Sequence, residues 1–296
     1  MELRVLRYFL AVARSESISG AAEVLHVTQP TLSRQLMDLE KEVGKTLFLR
    51  GKRRITLTEE GVLLRKRAAE ILDLVDKTAG ELAFADETIA GDVYIGAGET
   101  HAVHYLTRAA KRLQMQYPDI RCHISSGDRV DVTEQLDRGL IDFGLLFGEI
   151  DTGKYSALAL PTYDTWGIVL RRDDPLAQRE SVTLADMRDK PLIVNRSSDE
   201  PGRLQGILVS PHVVATYSLA FNGSLMVEDG LGYMICLDKI LNLSGDSCLC
   251  FRPFAPTVKA SMSIVWKKYP VFSKPAAKFL EKLQAQILEN SSKTDD

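Results

Sequence analysis

The stretch 18–39, ISGAAEVLHVTQPTLSRQLMDL, narrows the fold more than any other, because its apolar residues fit two short amphipathic helices meeting at a tight turn. Ile18, Ala21, Ala22 and Leu25 fall on one face of the first helix. After a break at residues 26–29, Leu32, Leu36, Leu39 and Val43 recur at the four, three, four spacing of a buried helical stripe. Ala21 and Ala22 carry only a methyl group at the predicted crossing. The two axes can therefore approach closely and leave the second helix proud of the surface, as a helix-turn-helix requires. Thr28 is placed to cap the second helix, and Pro30 suits its first turn, where a missing N–H costs nothing. Gln29, Pro30, Thr31, Ser33 and Arg34 then project from the leading turns, and the polar ones are of the types that hydrogen-bond base edges and phosphates. Spacing alone leaves open an ordinary helical hairpin with a solvated polar face.

The longer run 21–61, AAEVLHVTQPTLSRQLMDLEKEVGKTLFLRGKRRITLTEEG, resembles the N-terminal signature of LysR-type transcriptional regulators. The likeness lies in the QP-x-x-S-R-Q core and in the L-E, G, L-F, R and L-T-x-x-G positions that follow. Thr28 and Thr31 stand where that family often carries Ser and Ala. The resemblance implies a winged helix-turn-helix that binds double-stranded DNA, and it extends more weakly through the whole chain.

Charge distribution supports a DNA-binding head. The chain carries a net charge of −3, which looks unsuited to nucleic acid until it is divided. Residues 1–57 hold ten basic and six acidic side chains, a balance of +4, and the rest holds −7. A basic head on an acidic body fits a protein that touches DNA through one domain only. Within the head, Leu3, Leu6, Phe9, Leu10 and Ala13 predict a first helix that closes a three-helix core, and Ser17 is placed to cap the second. Gly44 ends the recognition helix. LFLRGKRRITLT then reads as a hairpin with Gly51 at its turn, a wing whose Arg50, Lys52, Arg53 and Arg54 suit phosphate or minor-groove contact.

Thr58, Glu59 and Glu60 open a long helix, a capping hydroxyl followed by acidic residues that favour its dipole. Leu64, Ala68, Ile71, Val75, Thr78, Leu82 and Ala85 alternate steps of four and three along it, a narrow seam that seeks another helix. In the resembled family this linker helix pairs with that of a second subunit, and that expectation is adopted over packing within the chain. The resemblance implies a homodimer and a homotetramer above it. Two heads would read a pseudo-palindrome.

From residue 91 the pattern changes. Short apolar segments (GDVYIGAG, IRCHISSG, IDFGLLFG) alternate with helical ones (HAVHYLTRAAKRLQMQYP, VDVTEQLDRGL). A second set follows with TWGIVLRR, a helix near LADMRD, PLIVNR, VVATYS, a helix near SLMVEDG, and LGYMICL. After SIVWKK, a last helix spans about 274–289. This predicts a largely parallel α/β sheet in two lobes, similar to the effector-binding half of LysR-type regulators and to periplasmic solute-binding proteins. The expected organisation is a two-part α/β chain: a winged helix-turn-helix over 1–57, a linker helix over 58–90, and a two-lobed effector-binding domain over 91–296. Its lobe I comprises about 91–161 and 267–296 and its lobe II about 162–266, with crossings near 161–164 and 259–266. Asp238 stands where family members often carry Pro.

In open α/β sheets ligands collect beyond the C-terminal ends of strands, where helix N-termini present N–H donors. The expected effector contacts are Thr100, His101, Ser126, Thr165, Asn195, Ser197 and Asn222, with cationic help from Arg129 and Arg196. They suggest a small polar, anionic effector. Thr100 also matches the position where the resembled family commonly contacts effector; capping of the next helix is the competing role for it and for Asn222.

No catalytic motif survives inspection. GAGETH places His101 where a dinucleotide fingerprint needs its third glycine, and His101 and His104 lack a third metal ligand nearby. Four cysteines without metal or redox spacing read as reduced thiols. No enzyme activity, cofactor or metal is expected. No apolar run approaches a membrane span, and the first residues lack a small-residue cleavage site, which suggests the cytoplasm. The function expected is a sequence-specific transcriptional regulator controlled by a small molecule, with RNA polymerase a further candidate partner. An α/β solute-binding protein or enzyme carrying an unrelated helical domain is the alternative.

Overall fold

The computed structural model describes residues 1–51, 54–83, 89–196 and 212–291 and divides into two compact units, Met1–Asp86 and Glu87–Asp296. In the first, helices α1 (Leu3–Ser15), α2 (Ile18–Val24) and α3 (Gln29–Val43) enclose a core of Leu6, Phe9, Ala21, Leu32, Leu36 and Leu39. Ser17 caps α2 by accepting from the Gly20 N–H at 3.2 Å, and Thr28 caps α3 by accepting from the Thr31 N–H at 3.4 Å. Gly44 closes α3 at φ +69°, a left-handed conformation that glycine adopts without steric cost. The buried stripe of α3 ends one step earlier than its spacing suggests. Val43 is 42% exposed, because the chain turns away at Gly44 before anything covers it.

Strands β1 (Phe48–Arg50) and β2 (Ile55–Leu57) pair antiparallel with Gly51 at the turn, forming the wing. Helix α4 (Glu59–Ala83) follows, capped by the Thr58 hydroxyl, which accepts from the Gly61 N–H at 3.0 Å. Its apolar seam has two fates. Ala68 is fully buried and Leu64 and Ile71 pack with it against the helix-turn-helix core, while Arg7 of α1 donates to Asp76 of α4 at 2.9 Å. The expectation that this part of the seam faces a second subunit is therefore corrected, since the chain's own α1 already covers it. With 13 residues against 25, α1 runs only about 20 Å beside a helix of about 37 Å. Val75 is half-buried, and Leu82, beyond that reach, is 70% exposed.

In the second unit, β3 (Gly91–Ala97) pairs parallel with β4 (Ile120–Ser126) and β5 (Phe143–Phe147). Helices α5 (Val103–Gln116), α6 (Arg129–Asp137) and α8 (Lys274–Ser291) complete this lobe, whose core centres on Val93, Leu106, Phe143, Ile264 and Phe279. The second lobe pairs β7 (Leu192–Asn195) parallel with β8 (Val213–Tyr217) and β9 (Tyr233–Leu237), and α7 (Ala220–Glu228) packs on that sheet.

Two long strands join the lobes. β6 (Tyr155–Arg171) is antiparallel to β11 (Lys259–Lys267) along its first half and to β9 and β10 (Leu249–Pro253) along its second. Among the described residues the hydrogen-bonded path runs β4-β3-β5-β11-β6-β9-β7-β8, with β10 on β6. Residues 262–265 of β11 pair with β5, so this strand belongs largely to the first lobe, and the expected limit of lobe II at 266 moves back toward the start of β11. The helix expected near LADMRD is a single 3-10 turn, Leu184–Met187. The four cysteines are free thiols, with Cys250 buried in β10 and Cys248 exposed just before it. Among the described residues no helix is long and apolar enough to cross a membrane.

Candidate nucleic-acid interface and effector cleft

Helix α3 presents its leading turn to solvent. Gln29, Pro30, Thr31 and Arg34 are exposed and Ser33 is half-buried, while Leu32 and Leu36 on the opposite face are anchored in the core. The Arg34 side chain is 82% exposed and lies 4.0 Å from Asp38, a pair too loose and too solvated to hold it. On the wing, exposed Arg54 donates to Glu16 at 3.2 Å, and the Ile55 N–H donates to the Glu16 carbonyl at 3.0 Å, which ties the hairpin to the α1–α2 turn. Arg53 and the Arg50 side chain lie outside the described residues.

Between the lobes of the second unit lies a cavity of about 850 Å³. Ser126 and Asn195, both expected there, line it, as do Arg129 and Arg196. Its walls are mostly apolar, with Phe147, Trp166, Val194, Tyr217, Ile235 and Leu237 among them. Burial pushes the Tyr217 phenol well above its ordinary pKa, and its O–H donates to the Ile235 carbonyl at 2.8 Å. The wall therefore stays uncharged there.

Other expected contacts fall elsewhere. Thr100 is buried, but not in the cavity wall. Its hydroxyl donates to the Asp164 carboxylate, accepts from the Ala102 N–H at 3.0 Å, and has the Met262 sulfur at 3.3 Å. His101 is exposed, its backbone N–H donates to Asp164 at 3.2 Å, and its ring meets that of His104 edge-on at 4.7 Å. Thr165 alternates with the lining residue Trp166 along β6, and so faces the other side; its N–H donates to Asp238 at 2.8 Å. Asn222 is exposed on α7, because that helix starts at Ala220 and buries Ala220, Gly223, Ser224 and Val227, leaving Asn222 on its outer face. Ser197 lies outside the described residues.

Two polar residues the sequence did not single out prove central. Glu99 reaches from the first lobe to the second, where its carboxylate accepts from the Ala220 N–H at 2.6 Å at the start of α7. Asp164, 2% exposed, does the same for the approach to α5. Both partnerships span more than 60 residues of chain, beyond any local signal.

Comparison with known proteins agrees with this geometry. The model for the bacterial regulatory helix-turn-helix protein, lysR family, matches residues 3–62, and the LysR substrate binding domain matches 86–287. The Hca operon transcriptional activator HcaR of Escherichia coli is 29% identical over 90% of this chain and 92% of its own. The regulator BsdA of Bacillus subtilis is 27% identical over 95% and 99%. Full-length CbnR, solved with its target DNA, superposes with a TM-score of 0.74 at 21% identity over 96% of this chain and 99% of its own, a likeness of fold. Since these models together account for the helix-turn-helix and most of the second unit, the chain belongs to the lysR family of helix-turn-helix transcriptional regulators, DNA-binding proteins whose C-terminal domain takes a small-molecule effector.

Proposed function

We propose that this regulator reads its operator with Gln29, Thr31, Ser33 and Arg34 of α3, while Arg50, Arg53 and Arg54 of the wing hold the flanking phosphates. The observation that carries the reading is the leading turn of α3: Gln29, Thr31 and Arg34 are exposed and Ser33 is half-buried, while Leu32, Leu36 and Leu39 fix the helix from behind. One winged head covers little DNA. We assign the exposed distal part of α4, around Leu82, to a homodimer that presents two heads to a pseudo-palindrome, with tetramers formed from dimers. The cavity between the lobes receives the effector, RNA polymerase is the further partner on promoter DNA, and the cytoplasm is the compartment.

The test is a gel shift with DNA upstream of the protein's own reading frame against random DNA of equal length. Arg34→Ala is expected to weaken specific binding by about 1–3 kcal/mol and to narrow the discrimination between the two. Wild-type discrimination in that variant would remove α3 from the recognition role.

A further inference from the structure

We infer that the cavity between the lobes takes an uncharged, largely apolar ligand of aromatic character, and that the chain's own carboxylates exclude anions from it. The inference rests on the reading of this cleft as the effector site.

Three helices begin beside the cavity. Residues leading into or opening α5 (Gly98, Glu99), α6 (Asp128, Arg129) and α7 (Ser218, Leu219) are part of its lining. A helix N-terminus carries unpaired N–H donors and a partial positive charge, and would ordinarily be where an anionic ligand seats. Here each already holds a carboxylate of the chain itself. Asp164 accepts from the Thr100 hydroxyl and the His101 N–H before α5. Asp128 and Asp131 form a reciprocal capping box at α6, Asp128 accepting from the Asp131 N–H at 3.0 Å and Asp131 from the Asp128 N–H at 3.3 Å. Glu99 accepts from the Ala220 N–H of α7 at 2.6 Å. The chain has supplied an anion to all three.

Two of the three described lining cations are already engaged. Arg129 donates to the carbonyls of Phe147 and Glu149, and the Lys259 ammonium sits 4.0 Å from the centre of the Tyr163 ring. Among the described lining residues the carboxylates of Glu99, Asp128, Asp131 and Glu149 face the cations of Arg129, Arg196 and Lys259. An entering carboxylate or phosphate would lose water against apolar walls and meet carboxylates at the donors it needs. A neutral aromatic molecule loses little, and gains the Phe147, Trp166 and Tyr217 surfaces.

Two fluorescent probes differing by one charged group test the inference on the full-length chain. They are N-phenyl-1-naphthylamine, which is neutral, and 1-anilinonaphthalene-8-sulfonate, its anionic relative. The neutral probe is expected to bind saturably, with a Kd at least about tenfold below that of the sulfonate. Ser126→Trp and Leu219→Arg, both at exposed lining positions, should each weaken the neutral probe by about tenfold or more without altering the fold. Glu99→Gln, which replaces the carboxylate at α7 with a neutral amide, should narrow the gap by strengthening the sulfonate. A sulfonate bound as tightly as the neutral probe in the wild type, and sensitive to Ser126→Trp, would overturn the ligand class while leaving the cleft as the effector site. Absence of saturable neutral binding would likewise overturn the class. Neutral binding indifferent to both lining substitutions would overturn the cleft as its site.

Discussion

Replacing Thr100 by valine should cost stability and spare ligand binding, the reverse of what its place after the first strand of the domain suggests. The side chain is buried, and its hydroxyl is committed twice, donating to the Asp164 carboxylate and accepting from the Ala102 N–H. Asp164 is 2% exposed, and its Oδ2 accepts from this hydroxyl and from the His101 N–H. Valine keeps the volume and removes one of these two donors. A hydrogen bond to a charged group contributes about 1.5–3 kcal/mol net, and loss of a capping acceptor costs about 1 kcal/mol. These sum to roughly 2–4 kcal/mol. In a domain of about 200 residues each kcal/mol moves Tm by about 2–4 °C, so thermal unfolding followed by circular dichroism should show a fall of about 4–16 °C. Thr100→Ser, which restores the hydroxyl, should recover most of it. Neutral-probe affinity at a temperature where both proteins are folded should stay within about twofold of wild type, a change near 0.4 kcal/mol. A Thr100→Val protein that melts with the wild type yet loses the ligand would refute the reasoning and return Thr100 to the cavity.

Other outcomes follow from single positions. Leu82→Glu should convert the proposed dimer to monomer in sedimentation while both units remain folded. Ile71→Glu should instead destabilise the N-terminal unit, because that half-buried residue packs against its core. Gly167→Ala should destabilise the second lobe by about 1–3 kcal/mol in denaturant unfolding, since a methyl there meets the Arg252 carbonyl oxygen and the Phe251 ring on β10. Asp186 is held at a pKa of about 2 by the Thr183 hydroxyl and backbone N–H, with Arg179 beside it. Its folded value lies below the unfolded one, so its contribution is present above about pH 4 and lost as the pH falls toward 2. Thr183→Val should raise the Asp186 pKa, read by carboxyl chemical shifts, and shrink that acid-dependent loss.

What the sequence discloses is what local chemistry decides. Helix α3 was legible because a capping threonine, a proline in the first turn, a regular stripe and a terminal glycine all lie within sixteen residues or so of one another. The alternation of β3, α5, β4, α6 and β5 was legible for the same reason. The turn near LADMRD fails to become a helix because Asp189 takes φ +64° and Pro191 disfavours helical backbone at Lys190, two signals that outweigh its capping box. Strand β10 was missed as a strand; only five residues long, it is defined by its pairing with β6. The seam of α4 was visible as spacing, but spacing does not name the occupant, and α1 takes half of it. In the cleft, Ser126 and Asn195 were found from strand ends. Glu99 and Asp164 were not, because their partners are set by the meeting of lobes rather than by neighbours in the chain.

Strand β6 runs as one strand of 17 residues through both lobes and hydrogen-bonds in each, which restricts how the C-terminal unit can deform. A hinge of loops lets two bodies swing apart at little cost, whereas a two-stranded ribbon yields mainly by twisting about its long axis. The ribbon's weak place is the register shift between Ser261 and Ser263, set against Tyr163 and Ala159 of β6 at the junction. Rotation of one lobe against the other should concentrate there, close to the Asp164 that anchors the start of α5. The unit is thus expected to yield as a torsion element, with this register shift as its compliant joint. Amide hydrogen exchange should register the arrival of an effector as altered protection of Ser261 and Met262, far more than of the β3-β4 ladder.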